Sequence, residues 1–270
     1  MTKKKVSSGT STCTGTCTGI VDVNVHIGPW PFCEFSLITP ELISIHLKSL
    51  GIARAVCAPL SAVFLPDPER ANDMFLEQIK GLDVFLPAGV VNPLLANWEN
   101  IIGNKSFCAY KLIPNYHNYL LTDPRVQPVL AALEAVRKPL FVQVRFDDER
   151  NHYELLKVPA VPVNDILEIA RAYPELCVIA LGAYFPEAVS LLQQQNIYCD
   201  ISYTENLNTL AQLTAKVPVQ NILFGSQMPF LYTEAALGKL ALNTITEPDR
   251  KKIASGNWDA LSEKLKKKAY

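Results

Sequence analysis

Histidine and carboxylate side chains occur in this chain at the ends of apolar runs, where they can carry out proton transfer. His26 ends the run from Ile20, and His117 lies in a tyrosine-rich loop. Each can act as a general acid or base because imidazole titrates near neutral pH. Asp148 and Asp200 can orient one of these histidines. These four side chains are the candidate catalytic residues.

Cationic side chains near the same runs point to an acidic ligand. Lys111, Arg145 and Arg150 form a predicted cationic lining, and guanidinium groups bind carboxylates through two parallel hydrogen bonds. We therefore expect a small-molecule carboxylate as the partner. The remaining candidate substrate-binding residues are neutral amides, namely Asn24, Gln143 and Gln227.

The elements that position these residues alternate between short β-branched runs and longer segments of helical spacing. Such alternation predicts a parallel sheet wrapped by helices. The predicted strands cover 20–25, 53–58, 84–91, 107–112, 140–145, 177–181, 197–201 and 221–225. Eight strands in 270 residues favour one α/β domain, a (β/α)8 TIM barrel over 20–270 after a flexible leader at 1–19. An open doubly wound sheet is the alternative.

Period-two alternation within these strands predicts which side chains point into the barrel. In Val21-Asp22-Val23-Asn24-Val25-His26 the valines share one face and the polar residues share the other. By the same alternation, Lys111, Gln143, Arg145 and Asp200 are predicted to point inward. Active sites of such barrels lie at the carboxyl ends of the strands, so we expect these side chains to meet there.

Composition excludes several classes of partner. The net charge of −1 gives no basic field for nucleic acid or for an anionic membrane surface. The lysine-rich start leads into Ser, Thr and Gly instead of an apolar signal core, so a cytoplasmic protein is expected. Cys13 and Cys17 are too few ligands for zinc. A homodimer is an assembly that barrels often form, although no apolar stripe requires it.

Several motifs resemble the amidohydrolase-related proteins (amidohydrolase family 2) of the metal-dependent hydrolase superfamily. Ile20–Phe32 is similar to the opening of that family, and Phe224–Phe230 and Ser255–Trp258 are similar to its last strand and closing helix. Lys111–Tyr119 and Gln143–His152 resemble segments of a less studied branch. The resemblance implies a TIM barrel that hydrolyses, or in a related lyase step decarboxylates, a small carboxylated substrate.

The chain departs from the family at the metal site. The resemblance implies a His-x-His pair on the first strand, histidines on the fifth and sixth strands and an aspartate after the eighth. The chain has Asn24-Val25-His26, then Gln143 and Arg145, then Leu181-Gly182-Ala183, and finally Gln227. Only His26 matches, so we expect a degenerate site with no metal or other cofactor.

Two alternatives stay open. The first is a metal-dependent hydrolase with zinc or another divalent metal in a site rebuilt from His26, His117 and Asp200. The second is a catalytically inactive barrel that binds a small acid. The chain has no G-x-G-x-x-G phosphate loop, so a nucleotide cofactor is not expected.

Overall fold

The computed structural model describes residues 19–37, 39–153, 155 and 157–268. Its centre is an eight-stranded sheet in which each strand pairs in parallel with the next along the chain. The strands are β1 Ile20–Ile27, β2 Ile52–Pro59, β3 Phe85–Val91, β4 Ala109–Leu112, β5 Leu140–Gln143, β6 Val178–Leu181, β7 Ile197–Asp200 and β8 Ile222–Leu223.

The first and last strands meet, so the sheet closes into a barrel. Val23 N–H donates to the Phe224 carbonyl at 2.9 Å, and Val25 forms a parallel bridge with Met228. The predicted (β/α)8 architecture is therefore confirmed, and the open sheet is excluded.

Helices follow the strands and cover the outside of the barrel. They are α1 Pro40–Ser49, α2 Ser61–Phe64, α3 Pro68–Gln78, α4 Trp98–Gly103, α5 Gln127–Val136, α6 Val163–Ala172, α7 Phe185–Leu191, α8 Thr209–Thr214, α9 Thr233–Leu242, α10 Glu247–Lys251 and α11 Asn257–Lys268. A π-helical turn, Lys252–Gly256, joins the last two. Thr39 and Asp67 accept backbone N–H groups at the starts of α1 and α3, because a side-chain oxygen before Pro at N1 caps a helix.

Apolar residues form two layers, one inside the barrel and one between strands and helices. The inner layer contains Val56, Val90 and Phe141, and Trp258 of α11 stacks on Phe141 with ring centroids 6.1 Å apart. The outer layer packs Val142 and Val144 of the fifth strand region against helical residues such as Leu130. Lys111 and Gln143 follow inner-layer residues at a spacing of two, so they point into the barrel as predicted.

Strand β1 corrects the predicted alternation. Asp22 is opposite Ala55 and Val25 is opposite Cys57, so β1 has one residue more than β2 between these pairs. Beyond this β-bulge, the side chains of β1 point to the opposite face from the one that strict alternation predicts. Val21 and Val23 belong to the inner apolar layer, whereas Val25 and Ile27 belong to the outer one. The valines of β1 therefore do not share a face, and Asn24 and His26 reach the interior only after the bulge.

The N-terminal prediction falls mostly outside this description. Residues 1–18, including Cys13 and Cys17, are not among the described residues, so the leader at 1–19 stays a prediction. Within the described residues, every helix is too short or too polar to traverse a lipid bilayer.

Candidate functional site

Four polar side chains from different strands join in one buried cluster at the carboxyl ends of the barrel strands. Asn24 Nδ2 donates to Asp200 Oδ2 at 2.9 Å and also to Gln227 Oε1. Gln143 Nε2 donates to the same Gln227 oxygen at 3.1 Å. All four residues are at most 1 % exposed. The structure thus brings together side chains that are far apart in sequence, and we call this group the amide cluster.

Local backbone geometry holds the amide cluster in place. Asp200 Oδ1 accepts Gly182 N–H at 2.8 Å, and Gly182 has φ +74°, which favours glycine. A Cβ atom at Gly225 would lie 2.5 Å from Asp200 Oδ2, so only glycine permits this approach. Gln227 Nε2 donates to the carbonyl groups of Arg145 and Phe146 at 3.2 and 2.8 Å. Strands β5, β7 and β8 are therefore tied together through this site.

His26 and Lys111 form a second buried group next to the amide cluster. Lys111 Nζ lies 2.6 Å from His26 Nε2, and His26 Nδ1 lies 3.2 Å from the Met228 carbonyl oxygen. A carbonyl oxygen can only accept, so Nδ1 carries the proton and Nε2 is the acceptor for Lys111. The pair therefore has a defined direction, with Lys111 as the donor.

Burial shifts the pKa of both members of this pair. Desolvation lowers the pKa of Lys111 to about 7, and the neighbouring Asp200 carboxylate offsets only part of that effect. Desolvation, followed by repulsion from Lys111, lowers the pKa of His26 well below its ordinary value. His26 is thus neutral at neutral pH, and Lys111 is close to its titration midpoint.

Asp22 is a buried carboxylate that the sequence did not single out as a site candidate. Its Oδ1 accepts the N–H groups of Asn24 and Ser226, each at 3.0 Å, and Oδ2 has no hydrogen-bond partner among the described residues. Desolvation raises the pKa of Asp22 to about 7. The sequence signal was its position among the polar residues that alternate with valines in β1.

Arg145 lies beside these groups, but its charge is already paired. Its guanidinium forms two hydrogen bonds of 2.7 Å with Glu187 and a third, of 2.6 Å, with the Gly182 carbonyl. The same group lies 3.8 Å from the ring centroid of Tyr184. Glu187 was not identified from the sequence because it lies in α7. The expected anion clamp is therefore occupied by an internal carboxylate.

Three predicted site residues lie outside the buried groups. His117 Nε2 bonds the carbonyl group of Ala62 in α2 at 3.1 Å. Asp148 accepts three hydrogen bonds from Arg150, and this pairing holds the pKa of Asp148 well below its usual range. The Arg150 side chain is 80 % exposed. Asp148 and Arg150 form a pair in a surface loop, and neither they nor His117 bonds the amide cluster or Lys111.

Aromatic rings separate the buried groups from solvent. The His26 ring contacts Phe146 and Phe230 at centroid distances of 5.0 and 5.8 Å. Trp30 contacts both phenylalanines at 5.3 and 4.9 Å. We call Trp30, Phe146 and Phe230 the aromatic layer. Above it is a cleft of about 380 Å³ lined by Trp30, Phe32, Cys33, Phe35, Tyr116, Asp147, His152, Tyr153 and Phe230.

The residues present do not fit a catalytic transition metal. Such an ion takes about three nitrogen, sulfur or carboxylate ligands. Here the acceptor nitrogen of the one imidazole already bonds the Lys111 amine, and the other neighbours are neutral amides and Asp200. Over the described part of the chain, no three histidine, cysteine or acidic side chains are placed to share an ion, and His117 lies apart from His26.

Comparison with known proteins finds similarity in structure and none in sequence. No family model and no curated protein matches the chain. A 2,6-dihydroxybenzoate decarboxylase from Rhizobium has a TM-score of 0.73 at 16 % identity, covering 91 % of this chain and 98 % of that one. A dihydroxybenzoic acid decarboxylase from Polaromonas with bound manganese has a TM-score of 0.72 at 17 % identity, covering 91 % of this chain and 97 % of that one.

A hydrolase has the same fold. The probable 2-pyrone-4,6-dicarboxylic acid hydrolase of Acinetobacter baumannii, with citric acid bound, has a TM-score of 0.64 at 15 % identity and covers 91 % of this chain and 99 % of that one. At these identities the likeness establishes the fold, which is the TIM barrel of these decarboxylases and hydrolases.

Proposed function

We propose that this chain is an amidohydrolase-like enzyme that decarboxylates or hydrolyses a small carboxylated compound at a degenerate metal site. The observation that carries the proposal is the His26–Lys111 pair, buried beside the amide cluster at the carboxyl ends of the strands. The likeness to solved decarboxylases and a hydrolase supports the reaction class, as do the motifs Ile20–Phe32 and Phe224–Phe230.

The chain's own residues can bind the substrate and move a proton without a bound metal. A protonated Lys111 attracts the substrate carboxylate into a buried site where charge interactions are strong. His26 Nε2 can take the proton from Lys111 and return it, because the bond from Nδ1 to Met228 keeps Nε2 an acceptor. The amide cluster supplies donors and acceptors that orient the substrate.

A small-acid-binding barrel without catalysis is the second candidate. Binding without catalysis is favoured by the aromatic layer, which covers the His26–Lys111 pair. It is also favoured by the Arg145–Glu187 contact, because that contact leaves no free guanidinium for the expected clamp. In that case ligand affinity persists when His26 is replaced by alanine. A rebuilt zinc site would instead give near-stoichiometric zinc by elemental analysis of protein purified without chelators.

The test is turnover of small aromatic and aliphatic carboxylates, followed as CO2 release and as hydrolysis, before and after treatment with a chelator. We expect His26→Ala to lower turnover by about a hundredfold or more, because general acid–base groups contribute about 10² to 10⁴. The matched control is His46→Ala, since His46 lies on α1 and pairs with Glu234. Equal activities of the two variants would overturn the proposal, and so would activity that chelation abolishes and zinc restores.

A further inference from the structure

The buried amine of Lys111 differs from the amines of two half-buried lysines, Lys138 and Lys239, in what it contacts. Lys239 Nζ donates to the carbonyl groups of Ile201 and Ser202 at 2.8 and 2.6 Å, and Lys138 Nζ donates to that of Phe107 at 2.6 Å. Lys111 Nζ instead lies 2.6 Å from an imidazole nitrogen and is 3 % exposed. Its hydrogen-bond partner is therefore a base that can accept a proton.

A lysine amine reacts as a nucleophile when it is desolvated and can lose its proton. Burial removes water from Lys111, and the Asp200 carboxylate, which favours the ammonium form, offsets only part of that desolvation. The lowered pKa of Lys111, about 7, agrees with this geometry. His26 Nε2 lies where the departing proton must go.

From this arrangement we infer that Lys111 forms a Schiff base with the carbonyl group of a small 3-oxo acid. The inference rests on the proposed function, from which it takes a substrate that carries a carboxylate. It adds that the substrate also carries a carbonyl group and that this group bonds covalently to Lys111. It makes Lys111 a catalytic residue and His26 its proton acceptor.

The step balances without an oxidant or a reductant. Lys111 gives one proton of its ammonium form to His26 Nε2, and the nitrogen lone pair then forms a bond to the carbonyl carbon. The carbonyl oxygen takes a second proton from that nitrogen and the first proton back from His26. The C–O bond then breaks and water leaves, which gives a protonated C=N bond. The bond between the carboxylate and its carbon then breaks, CO2 leaves, and the electron pair moves toward the nitrogen to give an enamine. Protonation at carbon and hydrolysis release the ketone and restore the amine.

Phe230 controls access to this amine. Its ring contacts His26 on the inner side, and it also lines the outer cleft together with Phe35. Phe146 contacts His26 as well, but it is only 1 % exposed. A substrate entering from the cleft must therefore displace Phe230, which is half-buried at the boundary.

Reductive trapping tests the inference. The protein is incubated with acetoacetate and sodium cyanoborohydride, and the modified lysines are identified by peptide mass spectrometry. We expect an adduct on Lys111 that is absent from Lys111→Arg, which keeps the charge but cannot form a Schiff base. Lys239→Arg is the matched control and retains the adduct. Phe230→Ala should increase the trapping rate by about threefold or more, because the ring closes the entry.

The mass of the adduct separates this inference from the proposed function. An isopropyl group on Lys111 that forms faster from acetoacetate than from the same concentration of acetone shows that CO2 left after the Schiff base formed, and supports both. A group that retains the carboxylate supports the Schiff base and counts against decarboxylation. Turnover of carboxylates with no adduct on Lys111, in both the wild type and Phe230→Ala, overturns the inference and leaves the proposed function intact. Labelling spread equally over exposed lysines in the wild type and Lys111→Arg overturns it too.

Discussion

Arg145 and Lys111 are buried cations at neighbouring strand ends, 2 % and 3 % exposed, and their surroundings differ in what balances the charge. Arg145 has a bidentate carboxylate, a carbonyl oxygen and an aromatic face. Lys111 has a neutral imidazole, a phenylalanine ring, Phe146, 5.6 Å away, and the Asp200 carboxylate, whose charge offsets only part of the desolvation. The first arrangement stabilises a permanent charge, and the second favours loss of the proton. Similar burial thus produces a structural cation in one region and a reactive amine in the other.

The largest effect on stability is expected from removing the Glu187 carboxylate, which balances the charge of Arg145. Glu187→Ala leaves a buried guanidinium unpaired, so the free energy of unfolding should fall by about 3 kcal/mol or more in urea titrations. The matched control is Asp83→Ala, which breaks the exposed pair with Lys48 and should cost less than about 1 kcal/mol. If both variants lose the same small amount, Arg145 is not the structural cation described here.

The second effect concerns the charge on Lys111. Its pKa is lowered to about 7 in the folded state, so the unfolded chain binds more protons from about pH 7 to about pH 10. This residue therefore adds stability as pH rises through that range, by up to about 1.4 kcal/mol per pH unit. Urea titrations across the range should show that rise in the wild type and in the exposed-lysine control Lys216→Met, but not in Lys111→Met.

A parallel pH dependence in the wild type and Lys111→Met would contradict this expectation. It would show that Lys111 titrates alike in the folded and unfolded chains, and the contrast with Arg145 would then lose its basis.

Asp22 should change stability with pH in the opposite direction to Lys111, and at lower pH. Burial raises its pKa to about 7, so the folded chain binds more protons from about pH 4 to about pH 7. The stability that Asp22 contributes is present at the acidic end and falls as pH rises, by up to about 1.4 kcal/mol per pH unit. Asp22→Asn should remove that fall, and the exposed control Asp73→Asn should keep it. Retention of the full pH slope in Asp22→Asn would disprove the shift.

The smallest effect is expected at Arg150, a cation outside both regions. Its side chain is 80 % exposed and pairs with Asp148 in the same loop. Arg150→Ala should leave the reductive trapping of Lys111 unchanged within error and lower the urea midpoint only slightly, since the Arg150 side chain is largely solvated although that of Asp148 is only 10 % exposed. A tenfold loss of carboxylate affinity in a calorimetric titration would instead restore the substrate-binding role predicted from the sequence.

Local signals made much of the barrel predictable. Hydrophobic runs placed all eight strands, and helix caps followed from Thr-Pro and Asp-Pro pairs because capping depends on adjacent residues. The alternation of polar and apolar residues identified Lys111, Gln143 and Asp200 as pointing into the barrel, because the direction of a strand side chain also depends on adjacent residues.

Long-range contacts explain what could not be predicted. The bulge in β1 depends on pairing with β2, which no periodicity within Val21–Ile27 reveals. The pairing of Arg145 with Glu187 joins residues 42 positions apart, so the clamp was predicted to be free. His152 lines the cleft although it was not among the candidate site residues, because loop residues acquire neighbours only in the folded chain.

The last helical segment completes the barrel, and this affects the order of folding. Strand β8 has two residues, and the next residue, Phe224, donates its N–H to the Ile253 carbonyl in the π-helical turn. Asn257 Nδ2 donates to the carbonyl groups of Val219 and Ile222 at 2.7 and 2.8 Å. A nascent chain that already contains all eight strands therefore still lacks the hydrogen-bond partners of Phe224, Val219 and Ile222 until Asn257 has been synthesised, so the shortest strand of the barrel gains its support last.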